Sequence, residues 1–331
     1  MCKQICGALA LVLATCLLLA LPAAAGSTEI PGTKSGFITT PDGVRIHYLE
    51  AGTQRQTVTV GLHHGRDKKG NLKLTDVDYK EEGDPTILFV PGWTMPGWIW
   101  EHQIAHFSKT HRVVAMDPRS QGESSKPAEG HYSAARARDI KAVVDELKLK
   151  PVVLVGWSMG VMEIAAYVDQ FGTADLAGMV LVDGIAGADF DPQTSPQFLQ
   201  WAGSFLFDRP KATATFVRSM YRQPQSEDYL ERVIAASLKT PTNSAGALLL
   251  AYVASDYRPA LAKFDKPTLV IAARSPWLPQ FEKVSLLVPG SRLVVVDDAS
   301  HALFVDKPVE FNAALDDFLK PLGMTTKVQP W

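Results

Sequence analysis

Six short apolar runs recur along the chain, and few folds can bury all of them. They cover residues 86–90, 112–116, 152–155, 179–182, 268–272 and 293–296. Unbroken apolar runs of this length suit strands covered on both faces, as in a parallel sheet. Between several of them lie stretches with helical periodicity, clearest at 134–147, 161–171 and 309–319. Strand-helix alternation predicts a mostly parallel, doubly wound α/β sheet. Two earlier strands, 37–40 and 45–49, flank the turn Pro41-Asp42-Gly43. The rhythm breaks only between residues 182 and 268, where Trp201, Phe205, Phe207, Phe216, Tyr221 and Tyr229 sit in helix-like segments. That interval predicts a helical cap inserted after the sixth core strand. A polar stretch at 54–84, with partly alternating flanks, reads as an exposed hairpin extension. The expected organisation is core at 26–184 and 263–323, cap at 185–262, and a tail at 324–331.

The first 25 residues read as a removable leader. Lys3 supplies a positive start, residues 7–21 are apolar except for Thr15, and Pro22-Ala23-Ala24-Ala25 offers the small residues signal peptidase requires. The run is short of the roughly 20 residues a membrane span needs. The expectation is export to the periplasm or medium, with cleavage near Ala25 and no stable membrane insertion. Two alternatives stay open: an uncleaved anchor, and lipidation at Cys16, for which Thr15 is a poor preceding residue. Cleavage removes Cys2, Cys6 and Cys16, the only cysteines of the chain. The mature protein then has no disulfide and no thiol nucleophile. A net charge of -2 provides no basic excess for nucleic acid.

The chemistry concentrates at Gly156-Trp157-Ser158-Met159-Gly160, which follows a predicted buried strand and opens a predicted helix. In that position G-x-S-x-G forms a nucleophile elbow, a strained turn that holds the serine hydroxyl out at the strand's end. A serine needs a base. His301 stands just after the last strand and before the final helix, where the histidine of such a triad comes last in chain order. His63, His64, His102, His106, His111 and His131 fit that role less well, and the His63-His64 pair lacks further ligands for a metal. Two backbone amides should hold the oxyanion: Met159, next to the nucleophile, and Trp93 in the loop Pro91-Gly92-Trp93-Thr94-Met95. The Trp93 side chain is also expected to line a pocket. No metal or organic cofactor motif is present.

These motifs together resemble the α/β-hydrolase superfamily, particularly its esterase and cofactor-independent haloperoxidase-like branch. Similar proteins carry a Gly-Trp oxyanion loop, an Asp-x-Arg-x-x-Gly-x-Ser turn, the elbow and the histidine loop. Here these are Gly92-Trp93, Asp117 to Ser124, Ser158 and His301. Pro91 departs from the histidine usual before the loop glycine. The resemblance implies an α/β-hydrolase fold and a Ser-His-acid triad. In most relatives the acid follows the strand before the histidine strand, but that position holds Ser275 here, which carries no charge. Some relatives place the acid one strand earlier, and Asp183 occupies that site. Asp189 and Asp191 on the following loop are the fallbacks, while Asp297 and Asp298 stand too close along the chain to His301.

The expected reaction is hydrolysis of a small-molecule carboxylic ester with an apolar acyl or alcohol part, through an acyl-enzyme on Ser158. Perhydrolysis or carbon–carbon bond hydrolysis would use the same triad. Dehalogenase and epoxide hydrolase chemistry is disfavoured, since those relatives need an aspartate nucleophile. The vacancy at Ser275 keeps open a non-catalytic protein that binds a ligand on the same fold. Trp93, Trp98, Trp157 and the cap aromatics together predict an apolar pocket.

Overall fold

The computed structural model describes residues 30–54, 56–187 and 195–322. The expected leader, the tail from 324, Asp189 and Asp191 lie outside the described residues. An eight-stranded sheet is built from β1 (Lys34–Thr39), β2 (Arg45–Ala51), β5 (Thr86–Val90), β6 (Val113–Met116), β7 (Val152–Trp157), β8 (Leu176–Val182), β9 (Thr268–Ala273) and β10 (Arg292–Val296). β3 (Gln56–Arg66) and β4 (Leu72–Gly83) form a separate antiparallel ribbon with a register slip at His63/His64. Its turn is tied by Asp67, whose carboxylate accepts the amides of Lys69 at 2.8 Å and Asn71 at 2.9 Å.

Strand order across the sheet is β1-β2-β6-β5-β7-β8-β9-β10, with β1, β2 and β6 paired antiparallel and all other neighbours parallel. After β5 the chain turns one way to β6, then crosses back to β7 on the other side. Adjacent strands whose connections depart in opposite directions leave a crevice at their carboxyl ends, where open α/β sheets bind ligands. Here that crevice lies past Val90 and Trp157. β8 starts three residues before the expected 179, because Leu176 already pairs with Val152 across a bulge.

Strand side chains alternate between two cores, as the two-residue period requires. Ile87, Phe89, Val153, Val155, Trp157, Val180, Val182 and Ile271 face α1 (Glu101–Phe107) and α11 (Pro308–Leu319). Leu88, Val90, Leu154, Leu181 and Val270 face α2 (Ser133–Glu146), α3 (Met159–Phe171), α8 (Arg258–Leu261) and α9 (Leu278–Leu287). α10 (Leu303–Asp306) is a single turn behind the histidine loop.

Four helices make the cap: α4 (Ser195–Phe207), α5 (Arg209–Ser219), α6 (Glu227–Leu238) and α7 (Thr242–Ala254). Asp208 and Ser226 begin α5 and α6 by accepting the amides of Lys211 and Tyr229, each at 3.2 Å. α6 then buries Leu230, Val233, Ile234 and Ser237, one stripe at helical spacing. Tyr221, expected in a helix, lies instead in the α5–α6 connection. Among the described residues no helix is long and apolar enough to cross a membrane.

Candidate active site

Ser158 sits between β7 and α3 with φ 57° and ψ −116°. A non-glycine residue in that region is strained and persists only where its surroundings over-determine it. Here the turn is packed too tightly to relax. A Cβ on Gly156 would lie 2.5 Å from the Gly160 carbonyl oxygen, and one on Gly160 would lie 2.8 Å from that of Val90. The Ser158 amide donates to Val182 O at 2.9 Å, fixing the elbow to β8.

His301 reaches this serine from the loop after β10. Its Nε2 stands 3.0 Å from Ser158 Oγ, and its Nδ1 stands 2.7 Å from Asp183 Oδ2. Asp183 follows β8 with φ 44°, its amide bonded to Ile271 O and its Oδ1 accepting the Ala273 amide, both at 2.9 Å. The carboxylate is 4% exposed, so its second oxygen is held on the imidazole rather than on water. Ser275 is elsewhere: it is half-buried and its Oγ accepts the amide of Trp277 at 3.2 Å. Asp297 pairs with Arg274, and Asp298 with Gln223 and Lys307. The histidine loop is fastened to the cap. Ala302 donates to Met220 O at 2.9 Å. The Asp306 carboxylate collects the amides of Ser300, Arg222 and Gln223 at 2.8, 2.9 and 3.0 Å.

The loop after β5 lies against the serine, since a Cβ on Gly92 would stand 3.0 Å from Ser158 Cβ. The amides of Trp93 and Met159 have no hydrogen-bond partner among the described residues. This loop is held by a residue the motif reading passed over. Gln121 Nε2 donates to Gly92 O at 3.0 Å and Met95 O at 2.7 Å. Its Oε1 accepts the Thr94 amide at 2.9 Å and Arg136 Nη2 at 2.8 Å. Two donors and two lone pairs are all such a side chain possesses. Gly92 C=O and Trp93 N–H belong to one planar peptide and point in opposite directions. Gripping the carbonyl therefore aims the amide. Thr94, at φ 61°, shows that the loop does not rest in an easy conformation. Its sequence signal was weak, because Gln121 is one of the variable positions inside the Asp-x-Arg-x-x-Gly-x-Ser turn.

A model of the alpha/beta hydrolase family matches residues 87–314. The chain belongs to that family. This α/β-hydrolase is 26% identical to the bifunctional esterase/perhydrolase of Acinetobacter calcoaceticus, over 74% of its own chain and 96% of that protein. It is likewise 26% identical to the non-heme chloroperoxidase CPO-A1 of Kitasatospora aureofaciens, with the same 74% and 96% coverage. An esterase from Exiguobacterium antarcticum shares the fold at a TM-score of 0.73 and 21% identity, covering 87% of this chain and all of that one.

In this α/β-hydrolase the three tryptophans expected to share one pocket separate. Trp93 joins the aromatics of α4 and α5, with its ring centroid 4.7 Å from Phe205 and 5.7 Å from Phe216, and its Nε1 donating to Ala245 O at 2.9 Å, whereas Trp98 meets Tyr229 of α6 edge-on at 6.4 Å. Trp157 turns into the core against Phe304 and holds the histidine loop, donating to His301 O at 2.8 Å. Trp98 packs under Arg232, whose Cζ is 4.2 Å from its ring. Phe207, counted among the cap aromatics, is 93% exposed.

Proposed function

We propose that this α/β-hydrolase is an exported serine hydrolase that cleaves carboxylic esters of small molecules. The observation that carries this reading is His301, hydrogen-bonded at 3.0 Å to a serine on a strained elbow and at 2.7 Å to a buried carboxylate. Ser158 Oγ attacks the ester carbonyl while His301 Nε2 takes its proton. Asp183 keeps the imidazole oriented and stabilises the imidazolium. The amides of Trp93 and Met159 receive the oxyanion. Collapse of the tetrahedral intermediate expels the alcohol, which leaves with the proton from His301. Water then repeats the sequence on the acyl-enzyme and releases the acid. The contact between Asp183 and His301 supports this reading over the non-catalytic ligand-binding protein that the uncharged Ser275 leaves open.

Perhydrolysis is the second reading, favoured by the relative whose name includes that activity. There hydrogen peroxide replaces water as the attacking group on the acyl-enzyme and a peracid is released. Export rests on the leader at 1–25 and is checked by N-terminal sequencing of the secreted protein, which should begin near Gly26.

A fluorophosphonate should label the wild-type protein and not Ser158→Ala. The same substitution should lower turnover of p-nitrophenyl esters on the order of 10⁶-fold. Near-wild-type turnover by the purified variant would refute the assignment of Ser158, and absence of labelling in the wild type would return the non-catalytic reading.

A further inference from the structure

Arg209 opens helix α5 with its side chain turned inward, leaving 8% of the residue exposed. A buried guanidinium is costly unless a carboxylate or a full set of acceptors accompanies it. Other buried arginines here each have a carboxyl group beside them. Arg119 makes two hydrogen bonds to Asp139, at 2.6 and 2.5 Å, and Arg136 Nε lies 3.1 Å from Glu163 Oε1. No carboxylate among the described residues pairs with Arg209. Its Nη2 donates to Ser237 O at 3.2 Å, while Nε and Nη1 are buried without an acceptor. Its remaining support is aromatic, with Cζ 5.3 Å from the Trp93 ring centroid and 5.7 Å from that of Phe205.

Two neighbours share the deficit. Thr213 stands one turn further along the same face of α5, and its buried Oγ1 has no partner. Thr240 is in the same state, and its amide bonds the Ser237 carbonyl at 3.2 Å, the acceptor that also takes Arg209 Nη2. Arg209 and Thr240 thus meet at the Ser237 carbonyl with donors to spare, and Thr213 adds a buried hydroxyl one turn along α5. That point adjoins the reaction centre by two separate routes. The ring beneath Arg209 belongs to Trp93, whose amide faces the oxyanion. Ser237 Oγ is 2.7 Å from the hydroxyl of Thr94, the next residue in the oxyanion loop.

We propose that Arg209, with Thr213 and Thr240, forms a carboxylate-binding subsite, so that the preferred ester bears a free carboxylate on its acyl or alcohol part. The proposal rests on the esterase reading and narrows its substrate class. One cation with neutral hydroxyls matches a monoanion, whereas a phosphoryl dianion would bring a second negative charge that nothing there offsets. A carboxylate also offers two oxygens in one plane, which match the planar donor fork of a guanidinium.

The test compares two p-nitrophenyl esters of equal acyl length, the neutral hexanoate and the half-ester of adipic acid. The wild type should favour the half-ester by at least about tenfold in kcat/KM, as expected when a charged partner is lost from a buried pair. Arg209→Met should bring the ratio close to one, and Arg209→Lys should retain part of the preference. Independently of turnover, free hexanoate should raise the melting temperature of the wild type while hexanamide does not, and Arg209→Met should abolish the shift. If neither ester is hydrolysed, the esterase reading falls and the melting shift still decides the subsite. If the hexanoate ester is hydrolysed, the half-ester is no better and hexanoate gives no shift, the esterase reading stands and the subsite does not exist. A shift that chloride reproduces would also overturn the proposal, by making Arg209 a structural anion site.

Discussion

Gln121→Glu separates the aiming of the oxyanion loop from its mere presence. The replacement has nearly the same shape and keeps an oxygen for the Thr94 amide and for Arg136, now as a charged pair. It loses both donors, those that hold Gly92 O at 3.0 Å and Met95 O at 2.7 Å, and sets a carboxylate against two carbonyls. Gly92 O keeps the Met95 amide at 3.2 Å, but Met95 O is left unpaired, which costs about 1–3 kcal/mol, so the variant should melt several degrees lower yet remain folded. Removing one oxyanion donor outright costs about 10²–10³ in kcat. Here the Trp93 amide is loosened rather than removed, so kcat should fall about 10–100-fold. KM should move much less, because the donor acts on charge that develops only in the transition state. Fluorophosphonate labelling should slow in parallel, since the phosphoryl oxygen uses the same amides. A folded Gln121→Glu protein with kcat within about threefold of wild type would refute the argument that this side chain aims the loop.

Asp183→Asn should reduce kcat about 10⁴-fold with the fold retained, whereas Ser275→Ala should leave ester turnover unaltered; a loss at Ser275 would overturn the choice of acid. Ser35 Oγ stands 2.8 Å from His47 Nε2, and His47 Nδ1 stands 2.8 Å from Asp117 Oδ2, a second Ser-His-Asp string. Ser35 lies on an edge strand without an elbow, and Asp117 is also committed to the amides of Gly97 and Glu123. Ser35→Ala should therefore retain full fluorophosphonate labelling, measured by intact mass. Burial raises the Glu163 carboxyl from 4.5 to about 7 despite Arg136 nearby. The native state then holds that proton more tightly than the unfolded state, so stability drops as pH rises through that interval. Glu163→Gln should lack this drop, giving a smaller fall in melting temperature between pH 5 and pH 8; equal slopes in both proteins would refute it.

What could be read from the chain was what the chain holds locally. The apolar runs, the elbow and the histidine loop are each written within a few consecutive residues. They led to the sheet, the cap position and the neighbourhood of Ser158 and His301. The fate of Trp157 was also legible, and a pocket reading missed it. Val153, Val155 and Trp157 share one parity along β7 and hence one face of the sheet. Gln121 and Arg209 were not legible. Each acquires its role from atoms far away in sequence, Gly92 and Met95 for one, Ser237 and Trp93 for the other. An unpaired buried guanidinium has no signature in a string of residues, because solvation is decided only when the cap closes over it.

The fastening of Asp306 to residues 222 and 223, and of Ala302 to Met220, bears on how the substrate range of this enzyme can be re-engineered. Exchanging the whole cap for that of a relative looks like a modular graft, since it replaces one continuous insertion. Such a chimera would remove the α5–α6 corner, on which the base-carrying loop is moored, and would release the imidazole along with the specificity. Grafts confined to α4 and α7, which pack on Trp93 and Met159 and leave that corner in place, are the ones that can change what enters without disarming what reacts.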